Sequence, residues 1–100
     1  MIERNPKRLA TDGLFTDLQW SAISSSLALS HRQFQIVKYM FLGLTEHDIA
    51  RELSLSRSTV HTHLERLYRK VGVTNRMELA IRISQEFIAL SFTGDDRLIA

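Results

Sequence analysis

The stretch that most constrains this chain is Thr45 to Val73, TEHDIARELSLSRSTVHTHLERLYRKVGV. It divides into two amphipathic segments with almost nothing between them. The first opens at Thr45, whose hydroxyl can accept from the free backbone N–H groups of a helix start. Its apolar residues Ile49, Ala50 and Leu53 recur at helical spacing. Ser54-Leu55-Ser56 leaves room only for a turn. Ser56 then caps a second helix that carries Val60, Leu64, Leu67 and Val71 along one arc, and Gly72 stands where a helix stops. Two helices joined this closely form a helix-turn-helix, whose second helix can enter a DNA major groove. Small Ala50 suits a close helix crossing, and Leu55 would plug the core the two helices share.

The rest of the chain arranges itself around that pair. Residues 1–13 hold the only Pro and no apolar period, which predicts a flexible arm; its Arg4, Lys7 and Arg8 can touch phosphates, although a solvated tail accounts for them as well. From Thr16 to about Ser26 the spacing predicts a short helix, with Thr16 and Gln19 as a capping box and Trp20, Ile23 and Leu27 on one face. Serines weaken this helix intrinsically, so packing must hold it, with Trp20 as a core anchor. Ser30 and Gln33 open another helix, which runs to about Phe41 on Phe34, Val37, Tyr39, Met40 and Phe41, with Ile36 beside them, and ends at Gly43. The support helix spans Thr45 to Glu52. A last helix starts at Asn75, with Glu78 as its box partner, and continues to about Leu90; the residues from Ser91 form a short, frayed tail. No strand-like alternation or internal repeat competes with this reading, so the expected fold is all-α, about five helices with one domain over residues 14–90.

Composition narrows the function classes. Without cysteine there are no disulfides and no thiolate zinc site. No apolar run approaches a membrane span, and the basic N-terminus leads into no signal core, which makes the cytoplasm the default location. Net charge is only +2 at a pI near 9.4, so distribution carries more than the sum. Arg57, Arg66, Arg69, Lys70 and Arg76 gather around the second helix of the pair, with Glu65 the one acid among them. A solvated charged face explains such a cluster as readily as a phosphate footprint does, and helix placement tips the balance towards DNA.

Each helical residue turns by about 100°. With Val60, Leu64, Leu67 and Val71 inward, the opposite arc holds Ser58, Thr62, Glu65, Arg66 and Arg69, and Thr59 and His61 lie on its flanks. His61 and His63 do not share a face, so they make no metal pair. His31 and His47 read as surface residues without a ligand set.

Three strings carry a resemblance: LxLSxRQ from Leu27 to Gln33, GLTExDIA from Gly43 to Ala50, and LxLSxSTVxTHLxRLYRKVGVxNRxELA from Leu53 to Ala80. They are similar to the LuxR/GerE/NarL-type helix-turn-helix domain, over about Leu29 to Ile83. The resemblance implies a DNA-binding transcriptional regulator with the helix over residues 56–71 in the major groove. It places base readout at His61, Thr62 and Glu65, in agreement with the outward arc. By chemistry, Thr62 offers a methyl or hydroxyl, His61 a donor for guanine, and Glu65 an acceptor for a cytosine amine. Arg57, Arg66, Arg69, Lys70 and Arg76 suit phosphates, as do Ser56, Ser58 and Thr59 in the first helical turn and Thr45 at the other helix start.

Three positions depart from the family pattern. Gln33 and Gln35 stand where a Glu is usual, which keeps the capping ability and loses charge. Glu65 stands where a basic or amide residue is usual; an acid there repels phosphate unless a cytosine amine or a neighbouring cation engages it, and pairing with Arg69 one turn on is the plain alternative to base contact. His63 matches a usual family histidine and reads as a half-buried packing or phosphate residue.

The last helix has two apolar stripes. Leu79, Ala80, Ile83, Phe87 and Leu90 make one core face, while Met77, Ile81 and Ile88 make a second that either the Trp20 helix or a second copy must cover. The family often dimerises through its last helix, which implies a homodimer with recognition helices about 34 Å apart. A protein-interaction module gripping RNA polymerase or a separate sensor protein, with weak DNA binding, is the alternative. Neither a Gly-rich phosphate loop nor a catalytic constellation points to an enzyme, and no cofactor is implied. Relatives commonly carry a receiver or ligand-sensing domain, for which this chain has no room.

Overall fold

Every helix begins on an oxygen-bearing cap. The computed structural model describes residues 15–92 and contains, among them, α1 (Asp17–Ser26), α2 (His31–Phe41), α3 (Glu46–Leu53), α4 (Arg57–Val71) and α5 (Arg76–Phe92), with no strand. The expected arm, with Arg4, Lys7 and Arg8, and residues 93–100 of the expected tail lie outside the described residues. Thr16 and Ser30 close the capping boxes expected with Gln19 and Gln33, each N-cap oxygen accepting from the backbone of the third helical residue at 3.1 Å. Thr45 closes a further box with Asp48. Donation from the Thr45 backbone N–H, and then from its hydroxyl, holds the Asp48 carboxyl below its ordinary range.

The start of α5 differs in detail from the expectation. Asn75 Oδ1 accepts from the Glu78 N–H at 2.8 Å, but the Glu78 carboxylate reaches past Asn75 to the backbone N–H and hydroxyl of Thr74, at 2.8 and 2.9 Å. The longer Glu side chain spans the extra residue, and these bonds hold its carboxyl below the usual range. At its other end α5 runs through Ser91 and Phe92, past the expected stop.

The first four helices end in the same way. Ala28, Gly43, Ser54 and Gly72 have left-handed backbone, with φ of 55°, 87°, 56° and 78°. The N–H of the following apolar residue (Leu29, Leu44, Leu55, Val73) donates back to Ser24, Tyr39, Ala50 and Tyr68, all within 3.1 Å. This six-to-one bond satisfies a carbonyl that would otherwise be orphaned at the helix end and turns an apolar side chain back onto the core.

The core forms where the five helices meet. Ile23, Ile36, Val37, Ile49, Val60, Leu67 and Ile83 are completely buried. Ile36 is thus central to α2, whereas Phe34, Tyr39 and Phe41 are only partly covered. Trp20 is the anchor expected of it: Phe15 and Phe41 meet its ring edge-on, at centroid distances of 5.0 and 5.2 Å. Phe15 also touches Phe87 at 4.9 Å, which seals α1 onto α5. A polar clasp lies beside this seal, where the Ser26 hydroxyl and the Arg82 guanidinium both donate to Glu86. Leu55 packs against the core from the turn between α3 and α4, and Ala50 is buried where those helices cross.

Candidate nucleic-acid interface

Burying Val60, Leu64 and Leu67 fixes the rotation of α4 and therefore decides what it presents to solvent. Ser58, Thr59, His61, Thr62, Glu65, Arg66 and Arg69 are all exposed, as are Ser56 and Arg57 at its start. His63 is half-buried between the two faces. Arg57, Arg66 and Arg69 form no ion pair among the described residues, so their guanidinium groups face solvent uncommitted.

The N-terminus of α4 is a knot of hydroxyls. Ser56 Oγ accepts from the Thr59 N–H at 3.1 Å and donates to Thr59 Oγ1 at 2.8 Å, with Ser58 Oγ 3.2 Å away. One turn on, Thr62 Oγ1 donates to the Ser58 carbonyl at 3.0 Å, so its hydroxyl proton is satisfied within the helix. The N-terminus of α3 opens close by. Thr45, Glu46, Arg57, Ser58, His61 and Arg76 line an open cleft of about 700 Å³ between the two helix starts and the start of α5.

Two of the expected phosphate-contacting cations are engaged elsewhere. Lys70 Nζ donates to the Ala28 carbonyl at 2.7 Å and to Gln33 Oε1 at 3.0 Å, tying the last turn of α4 to the connection between α1 and α2. Gln33 is 7% exposed, and the same oxygen accepts from the Ser30 N–H, so it has two donors in a buried setting. Arg76 Nη2 donates to the carbonyls of Met40 and Leu44 at 2.9 and 2.8 Å, closing the end of α2. Both cations thus bond carbonyls at or just beyond helix ends; that of Met40 also accepts from the Gly43 N–H at 2.9 Å.

Sequence reasoning missed Glu46. Its Oε1 lies 3.3 Å from His61 Nδ1, while Glu65 Oε2 lies 3.6 Å from His61 Nε2. Glu65 therefore meets a cation-forming side chain one turn back, at His61, in place of the expected Arg69 one turn on. Glu46 also bears on Tyr68, whose hydroxyl is pushed up by burial and then by the Glu46 charge, against the lowering effect of Arg76. No wheel drawn for α4 alone can include a residue of α3; the usable signal was an acid directly after the Thr45 cap, which the helix pairing brings onto α4. Among the described residues no three His, Asp or Glu side chains converge on a metal-sized point.

The apolar residues on the second stripe of α5 stay outside the core. Met77 is 73% exposed, Ile81 52% and Ile88 53%. Although α1 packs on α5, it leaves these three uncovered. Beside them, Met40, Phe41, Arg76, Leu79 and Ala80 line a cavity of about 230 Å³. Among the described residues no helix is long and apolar enough to cross a membrane.

Residues 27–83 match the family described as "Bacterial regulatory proteins, luxR family". The HTH-type transcriptional regulator MalT of Serratia proteamaculans (strain 568) is 30% identical over 83 residues, which is 83% of this chain and 9% of that protein. MalT of Yersinia pestis (strain Pestoides F) is 30% identical over 79 residues, again 9% of its length. The chain thus spans less than a tenth of the curated relatives it matches. No solved structure matches it.

Proposed function

The chain belongs to the luxR family of bacterial regulatory proteins, and from that premise we propose that it is a sequence-specific DNA-binding transcription regulator that lays α4 in the major groove. The observation that carries this reading is the outward face of α4, which is wholly polar, bears the uncommitted Arg66 and Arg69, and is flanked by two capped helix N-termini. Arg57, Arg66 and Arg69 then hold phosphates, with Thr45, Ser56, Ser58 and Thr59 around them. Lys70 and Arg76 are exposed but spend donors on the carbonyls of other segments, so they rank behind Arg57, Arg66 and Arg69 as phosphate contacts. His61, Thr62 and Glu65 face the base edges. Because the Thr62 hydroxyl proton is already used, Thr62 offers its methyl, which suits thymine, or its oxygen as an acceptor for an amino-bearing base.

Met77, Ile81 and Ile88 form the contact with a second copy, setting two α4 helices on successive grooves about 34 Å apart. A separate transcription partner such as RNA polymerase or a sensor protein is the other occupant of that stripe. Selection from a random duplex pool at two salt concentrations tests the reading. Enrichment of paired half-sites about one turn apart supports a dimeric reader. Salt-sensitive retention without enrichment removes sequence specificity. An absence of binding at low salt moves the function to the protein partner.

A further inference from the structure

The acid on the reading face is a physical difficulty. Duplex DNA carries a negative charge about every 1.7 Å along its axis, and a carboxylate facing it is repelled. Two carboxylates stand here, Glu46 and Glu65, with His61 between them at 3.3 and 3.6 Å on opposite ring nitrogens. A neutral imidazole has one N–H and one lone pair, so between two carboxylates it would turn its lone pair on one of them. Only the imidazolium turns an N–H towards both, as a hydrogen bond to Glu46 and an ion-pair contact with Glu65. The three groups together then carry one net negative charge, and two when the proton leaves. The other side chains in the cleft are Thr45, Ser58, Arg57 and Arg76, and none of its lining residues comes from α2. Arg76 gives its Nη2 donors to the carbonyls of Met40 and Leu44 and keeps its positive charge, so two cations, Arg57 and Arg76, line the cleft beside the cluster.

We propose that Glu46 is a positioning residue for His61, and that Glu46, His61 and Glu65 together make duplex recognition by α4 proton-linked. The proposal rests on the duplex-binding reading above. Next to phosphates the singly negative cluster is favoured over the doubly negative one, so the bound form holds more protons than the free form and affinity falls as pH rises. The arrangement also specifies what Glu65 can read. With Oε2 turned to His61, Oε1 remains to accept from an amino-bearing base edge, cytosine N4 or adenine N6. Glu46 fixes the ring from the α3 side, so it shapes that readout without touching the base.

The test is affinity for a fixed random-sequence duplex, at constant ionic strength, between about pH 5.5 and 8, the range in which histidine changes charge. Wild-type affinity rises as pH falls, by at most about tenfold per pH unit for one linked proton per chain. His61→Gln flattens the profile. Glu46→Gln removes an acid, so it binds more tightly than wild type at the upper end of the range, where the wild-type cluster is doubly negative. Each variant is checked for unchanged helical content by circular dichroism. A flat wild-type profile, or a slope that survives His61→Gln, overturns the proposal while leaving duplex binding intact. A Glu46→Gln profile that equals the wild type, or lies below it at every pH, overturns the role of Glu46. Absence of duplex binding at every pH removes the functional reading itself, and the proposal with it.

Discussion

The helices α4 and α5 are close in length, at 15 and 17 residues, yet they treat their apolar side chains in opposite ways. On α4 Val60, Leu64 and Leu67 go into the core and the outward face is left polar. On α5 Leu79 and Ile83 do the same, but Met77, Ile81, Ile88 and Phe92 stay in water; of the large apolar side chains exposed among the described residues, only Leu18 lies elsewhere. Exposed apolar area is worth about 25 cal/mol per Å² when covered, so α5 keeps a capacity for association that α4 has already used internally. The contrast teaches that two helices of similar length and the same core packing leave one polar and one apolar surface in water.

The largest effect that could break this comparison is in the core. Leu67→Ala should lower stability by about 2–5 kcal/mol in urea unfolding, whereas Met77→Ala should change it by less than about 0.5 kcal/mol. Equal losses would mean that Met77 is buried in solution. Met77→Asp should next abolish self-association in sedimentation while keeping helical content, and an unchanged sedimentation profile would move the dimer contact off this stripe. On the polar side, Arg66→Ala and Arg69→Ala should weaken binding to all duplexes alike and lower the salt slope by about one each. A change in base preference without a change in slope would reassign them to base edges.

Smaller effects sharpen the helix ends and the clasp. Ser56→Ala leaves the Thr59 N–H without its acceptor and should cost about 1 kcal/mol in thermal or urea unfolding. At Glu86, donation from Ser26 and then from Arg82 holds the carboxyl below its ordinary range. The folded form therefore releases this proton more readily than the unfolded chain, so the contribution is present above the ordinary Glu range and fades as pH falls through it. Wild type should lose more stability than Glu86→Gln on acidification from about pH 6 to 3, and parallel losses would deny the clasp its energetic role.

The helix starts were legible because Thr16, Ser30, Thr45, Ser56 and Asn75 all belong to residue types that cap. Helix ends were legible only in part. Gly43 and Gly72 announce left-handed backbone, since glycine meets no Cβ penalty there. Ala28 and Ser54 adopt the same backbone without that advertisement, and the one trace of it is the leucine that follows each. The outward arc of α4 followed from helical period alone and matches the exposed residues. Lys70 and Arg76 were grouped with the phosphate-facing cations because sequence shows a charge without its acceptors. Their acceptors are backbone carbonyls 42, 36 and 32 residues away, together with the Gln33 side chain.

Local chemistry thus determined the five helices, the rotation of α4 and the set of side chains it turns outward, because capping, period and amphipathicity are properties of neighbours along the chain. Only the tertiary structure decided which charges are free. Packing α3 on α4 set Glu46 against His61, and packing α2 against α4 and α5 gave Lys70 and Arg76 carbonyls to close. The physical reason is that a charge acts within a few ångströms, and at that range its partners come from segments the chain brings together only on folding.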